Sequence, residues 1–186
     1  MTYRTKTYIA ADWDNDGDAV RQLREWNDSD FLTKIDFVDV HEYVQARDSS
    51  LCCTIKRSLN ERMNMSKTFI LIVGAETDRL TKGSCQYCEK YIHRASGGAC
   101  ISGNAVNYRS YIEHECSLAI KGKLNIVVLY KSSYVNKQLC PEIIRNIGVH
   151  SPMKENGKYS YSTVRDAILR AERTYLYSLD LSSHAH

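Results

Sequence analysis

Two unbroken apolar runs constrain this chain more than anything else in it. Residues 69–73 read FILIV and residues 126–129 read IVVL. Short β-branched runs without polar alternation suit strands covered on both faces, as in a parallel sheet flanked by helices. The neighbouring segments fit that frame. Thr7–Ala11 (TYIAA) is the predicted first strand, Lys34–Val40 (KIDFVDV) the second, Lys67–Val73 the third and residues 124–130 the fourth. Apolar faces at helical spacing lie between them: Ala19, Val20, Leu23 and Trp26; then Leu51, Ile55, Leu59 and Met63; then Ile112, Cys116, Ala119 and Ile120. Alternating strands and helices imply right-handed crossovers and a doubly wound sheet. Gly122 is expected to end the third helix in the left-handed conformation. A short helix is expected over Leu139–Arg145 and a fifth strand somewhere in 145–161. A closing helix should start on a Thr163/Asp166 capping box and run to about Ser178.

The chain has 186 residues, 43% of them hydrophobic, which suits one α/β domain over residues 1–180 with a short tail at 181–186. The net charge is +3 and the basic residues are scattered. Nucleic acid and membrane surfaces are therefore not expected partners, while small phosphate-bearing ligands stay open. No apolar run has the length of a membrane span and the first residues lack a signal-peptide pattern, so a cytoplasmic location is expected. Seven cysteines, an odd number, then point to thiols or a metal site rather than a disulfide framework.

The cysteines concentrate in a long stretch between Gly74 and Tyr108. Cys85, Cys88, His93 and Cys100 have the spacing C-x2-C-x4-H-x6-C. That donor set matches a structural zinc site, against the alternative of a loop with ordinary thiols. Cys52 is expected near the core and Cys53 less so. The acidic run DWDNDGD has oxygen donors at alternate positions, but the twelfth place of a calcium loop would fall on Leu23. Capping by Asp14 or Asp16 of a helix starting near Gly17 is the better reading, with a magnesium-assisted phosphate site as the alternative. The chain has no GxGxxG after its first strand, no GxxxxGK[ST] and no GxSxG, which removes the ordinary dehydrogenase, NTPase and hydrolase readings.

Two acids flank the apolar face of the third helix, Glu113 on one side and Glu115 on the other, with Tyr111 one turn before Glu115. Ligands of open α/β sheets bind at the carboxyl ends of the strands, where such helices start. An acid there is a candidate site residue, or simply a solvated charge favoured by the helix dipole. The residues alone leave both readings open.

Four stretches together are more specific: YIAADWD, FVDVHEYVQARDSSLCCTIKRSLNERM, SKTFILIVG and YIEHECSLAIKGKLNIVVLY. In this order and at these separations the chain resembles the TIR-like family, in particular the TIR-like proteins of bacterial Thoeris anti-phage defence. The resemblance implies a flavodoxin-like sheet in strand order 2-1-3-4-5, with the Cys-rich stretch of about 75–107 as an insertion. It also implies cleavage of NAD at the nicotinamide–ribose bond, giving ADP-ribose, a cyclic isomer or a conjugate that signals to a separate effector. The family's aromatic-x-x-x-Glu falls on Tyr111 and Glu115, which makes Glu115 the expected catalytic residue and Glu113 its decoy. Tyr111 stands where the family more often has Trp, and Ala10–Ala11 where many relatives carry a serine and an aromatic. Asp12, Trp13, Tyr43, Ser49 and Ser50 become the candidate substrate-binding residues, each with capping or loop packing as its alternative role. Self-association is implied as well, because such sites are often completed by a neighbouring subunit. The rival is a non-catalytic TIR-like interaction module. A phosphoacceptor receiver domain would use Asp12 and Asp39, but it needs an aspartate where this chain has Val73–Gly74.

Overall fold

The computed structural model describes residue 4 and residues 6–29, 51–94 and 97–183, with side chains described as far as residue 173. Four parallel strands form the central sheet: β1 (Lys6–Ala10), β2 (Ser66–Val73), β5 (Asn125–Tyr130) and β6 (Val149–Pro152), in the order β1-β2-β5-β6. They are the expected first, third, fourth and fifth strands, in the relative order expected of them. The expected second strand, Lys34–Val40, lies outside the described residues, as do Asp39, Tyr43, Ser49 and Ser50. The apolar runs pair in register at the centre, Phe69 with Ile126 and Ile72 with Leu129.

Helices cover both faces, so the two runs are buried on both sides. One face packs α2 (Cys52–Asn64) and α3 (Tyr111–Lys121) through Leu59, Met63, Ile112, Cys116 and Ala119. The other packs α1 (Trp13–Asp28) and α4 (Tyr161–Ser183) through Ala19, Val20, Leu23, Val164, Ala167 and Ile168. This is an α/β flavodoxin-like sheet. Among the described residues no helix is long and apolar enough to cross a membrane.

Several boundaries differ from expectation, each for a local reason. α1 starts at Trp13 because the Asp12 carboxylate accepts from the Asp14 N–H at 3.3 Å, four residues before Gly17. α4 starts at Tyr161, where Ser160 Oγ accepts from the Thr163 N–H, so Thr163 is inside the helix instead of capping it. The helix continues to Ser183, so residues 181–183 are helical rather than a tail. The helix expected over Leu139–Arg145 is replaced by two single 3-10 turns, Lys137–Leu139 and Glu142–Ile144. Pro141 separates them, having no N–H to continue a helix. Gly122 keeps a right-handed φ of −74°, and the left-handed residue is the exposed Lys123 at φ 52°. Gly122 serves closeness instead, since a Cβ there would lie 3.1 Å from the Leu118 carbonyl oxygen. Cys52 and Cys53 are both half-buried.

The long stretch before α3 is not structureless. It carries 3-10 turns at Thr77–Arg79 and Cys85–Tyr87 and a hairpin of β3 (Tyr91–Arg94) and β4 (Gly97–Cys100). A second small hairpin, β7 (Lys154–Glu155) and β8 (Lys158–Tyr159), precedes α4. The longer excursion is pinched at its base. The Tyr111 N–H donates to Lys82 O at 2.9 Å and the Cys85 N–H to Asn107 O at 3.0 Å.

Candidate functional site

The start of α3 is set by a capping box. The Glu113 N–H donates to Ser110 Oγ at 3.2 Å, and the Ser110 N–H donates to Glu113 Oε2 at 2.8 Å. Glu113 is thereby used up in holding the helix end, a role worth about 1 kcal/mol. Two residues on, Glu115 turns inward and is 7% exposed. The Tyr8 hydroxyl, from the middle of β1, donates to Glu115 Oε1 at 2.5 Å. Burial pushes the Glu115 carboxyl up to about 7, against the pull of the Tyr8 hydrogen bond and the nearby Arg62 guanidinium. A solvated glutamate is ionised at neutral pH. Full desolvation of the carboxyl places it instead at the midpoint of its titration.

Glu115 lines a cleft of about 210 Å³, together with Asp12 and Trp13 from the start of α1, Arg62 from α2, and Tyr111. The cleft thus collects four of the expected site residues, Asp12, Trp13, Tyr111 and Glu115. Asp12 also caps α1, so both readings of it hold at once. The Trp13 ring is 44% exposed and carries the Arg24 guanidinium 5.1 Å above it. The Tyr111 ring lies over Gly83, whose φ of +96° brings the backbone so close that a Cβ there would sit 2.4 Å from the ring. Burial, with a hydrogen bond to Cys52 next, raises the Tyr111 phenol well above its usual range.

Sequence reasoning missed Tyr8 and Arg62. Tyr8 reads simply as a strand residue, and its partner lies 107 positions away. Arg62 sits one turn after Leu59 on the buried side of α2, is 4% exposed, and has a buried Nε without a hydrogen-bond partner. An orphaned buried donor beside a cleft is rare and calls for an acceptor. Ser110 and Glu113 did have a signal, the S-x-x-E pattern before an apolar run.

Two acids of the run near α1 share a lysine. Lys131, just past β5, sits 2.6 Å from Asp18 and 3.5 Å from Asp16, and its ammonium also donates to Asn15 O at 2.7 Å. Burial raises Asp16, partly offset by Lys131. Asp18 feels some burial too, but hydrogen bonds from Lys131 and the Tyr159 hydroxyl draw it down to about 2.

The expected zinc set comes together only in part. Cys85, Cys88 and Cys100 border one small apolar cavity with Cys52 and Cys53. His93 does not border it. The β3–β4 register puts His93 opposite Gly98, two steps beyond the Tyr91–Cys100 pair, where it is exposed with its ring edge-on to Tyr91. Among the described residues no three Cys, His, Asp or Glu side chains are grouped to hold a metal ion. The spacing suggested four convergent donors, but the hairpin carries the histidine past the thiols.

Comparison with known proteins adds one finding. Residues 8–82 match the family model described as Thoeris protein ThsB, TIR-like domain. The match spans β1, α1, α2 and β2 and ends before Glu115. No curated protein matches the sequence.

Proposed function

We propose that this chain, whose residues 8–82 match the Thoeris ThsB TIR-like domain model, is a TIR-like protein of Thoeris defence and acts there as an NAD-cleaving enzyme with Glu115 as its catalytic carboxylate. The observation that carries this reading is the Glu115 carboxyl itself, buried, held by Tyr8 and bordering an open cleft.

Loss of nicotinamide builds positive charge on the ribose, as in glycoside cleavage. A carboxylate fixed in a dry cleft stabilises that charge more strongly than it would in water. Pyridinium is a good leaving group, so no strong general acid is needed. Tyr8 fixes which oxygen of Glu115 faces the ribose, and the free Nε of Arg62 offers a donor to a substrate oxygen. Trp13 and Tyr111 supply aromatic walls. A cleft of about 210 Å³ is below the usual ~300–1,000 Å³ of ligand sites. It fits the ribosyl-nicotinamide end of NAD, and on this reading the rest of the dinucleotide is held by further chain, including a neighbouring subunit in a self-associated form. The acceptor fixes the product: water gives ADP-ribose, an internal nucleophile a cyclic isomer, another small molecule a conjugate. The diffusible product reaches a separate effector in the cytoplasm.

The rival is a non-catalytic interaction module, in which the Tyr8–Glu115 hydrogen bond serves only to pack α3 against β1. Nicotinamide release from NAD by the purified chain separates the two, run with and without lysate of phage-infected cells and with products resolved by chromatography and mass. Release by wild type and by Glu113→Ala, with loss in Glu115→Gln, is the expected result. No release under either condition from folded wild-type protein leaves the interaction module.

A further inference from the structure

A cavity larger than the Glu115 cleft, about 700 Å³, lies against the other sides of α2 and α3. α2 turns Ile55, Leu59 and Arg62 to the Glu115 cleft, and Lys56, Arg57 and Asn60 to this cavity. α3 likewise gives Glu115 to one and His114 to the other.

The lining is strongly one-sided in charge. Among the described residues, Lys56, Arg57 and Arg109 border the cavity and no carboxylate does, in a chain whose whole formal excess is only +3. Glu113, close by in sequence, is committed to the Ser110 backbone. Arg57 and Arg109 are exposed. Lys56 is 5% exposed, and its ammonium donates to Asn107 O at 3.1 Å and Arg109 O at 2.7 Å, which fixes the loop carrying Arg109. An ammonium has three donors, so one remains.

The neutral groups are oriented to donate as well. Burial, with Lys56 next, lowers His114 to about 4, so the ring is uncharged at neutral pH. Its contacts then fit one tautomer: Nε2–H donates to Asn60 Oδ1 at 2.9 Å, and Nδ1 accepts from Asn107 Nδ2 at 3.4 Å. Asn60 is left presenting its amide N–H groups. Tyr108, 52% exposed and edge-on to Tyr91, adds an aromatic face at the rim.

We propose that this cavity is a binding site for a phosphate-bearing nucleotide, separate from the Glu115 cleft. Arg57, Arg109 and Lys56 take the phosphates, Asn60 donates to a phosphate or sugar oxygen, and Tyr108 stacks on the base. A concave site of this volume suits a small ligand rather than an acidic protein surface.

Calorimetric titration of the full chain with ADP, and separately with inorganic pyrophosphate, tests the assignment. Both bind at one site, ADP more tightly, and both weaken as salt is raised. The double charge reversal Arg57→Glu/Arg109→Glu weakens both by about thirty-fold, as expected for the loss of two solvent-exposed charge contacts. Arg57→Gln alone weakens both by about five-fold, and Tyr108→Ala weakens ADP only. Trp13→Ala and Glu115→Gln, which alter the other cleft, bind both probes as wild type does. Absence of saturable binding to folded wild-type protein overturns the proposal, as does binding that survives the double reversal with unchanged melting temperature. Binding lost in Trp13→Ala overturns it by placing the ligand in the Glu115 cleft. Equal affinity for ADP and pyrophosphate overturns the nucleotide assignment.

Discussion

Asp16 and Glu115 are both early residues of their helices, and both are nearly closed to solvent, 3% and 7% exposed. Burial is the leading influence on each and raises both carboxyls. They differ in what answers that cost. Asp16 faces the Lys131 ammonium at 3.5 Å and is wedged against Gly74, where a Cβ would lie 2.3 Å from its Oδ1. Glu115 faces a phenol and open space, with the Arg62 guanidinium near enough to lower its carboxyl but not in a close ion pair with it. A buried charge that is paired and packed serves the fold. One that is desolvated, unpaired and next to a cleft is a candidate for chemistry.

The largest effect should come from neutralising each acid in turn. Glu115→Gln is expected to cut nicotinamide release about 10³-fold, the scale of losing a preorganised electrostatic group. Asp16→Asn should leave turnover per folded molecule within about three-fold while lowering stability. Comparable losses of turnover in both variants would erase the contrast.

Next is Lys131→Met, which strips the ammonium from Asp16 and Asp18. Breaking such a pair costs about 3–5 kcal/mol when fully buried, and roughly 2–3 is expected here because Lys131 and Asp18 are partly exposed. Urea unfolding at pH 7 measures it, and a change below about 1 kcal/mol would mean that Asp16 is not held by charge. Gly74→Ala attacks the same spot sterically and should cost roughly 1–3 kcal/mol in the same assay.

Glu113→Ala should cost about 1 kcal/mol through the lost cap, with turnover nearly unchanged. A collapse of turnover there would reassign the decoy. The last test is a pH signature. Glu115 binds its proton more tightly in the folded chain, where it titrates at about 7, than when unfolded, near its ordinary 4.5. Its contribution to stability is therefore full below pH 4.5 and lost as pH rises through 7. Glu115→Gln should melt a few degrees above wild type at pH 8.5 and show no gain at pH 5. Turnover by wild type should rise between pH 6 and 8 as the carboxylate forms.

The sheet was legible because its evidence is local. FILIV and IVVL need no distant partner to be read as doubly covered strands, and their pairing followed. The choice of Glu115 over Glu113 as the candidate acid came only through resemblance, since a helical wheel treats the two alike. What separates them is a capping hydrogen bond on one and burial against β1 on the other. Tyr8, Arg62 and the raised Glu115 carboxyl were not legible, because they arise from contacts between segments far apart in sequence. The position of His93 was not legible for a related reason. Spacing assumes a loop free to gather its donors, and here β-pairing had already fixed where His93 goes.

The pinch below the Cys-rich hairpin has a consequence for how such a chain can diverge. At Lys82–Tyr111 and Cys85–Asn107 the two ends of the excursion are already joined, so the sheet sees only a short connection. Length and composition beyond that neck can drift without adding closure entropy to the rest of the fold. The neck itself cannot drift so freely. Gly83 holds the ring of Tyr111 at its station, and any side chain introduced at Gly83 would be felt at the wall of the Glu115 cleft before it was felt in the hairpin.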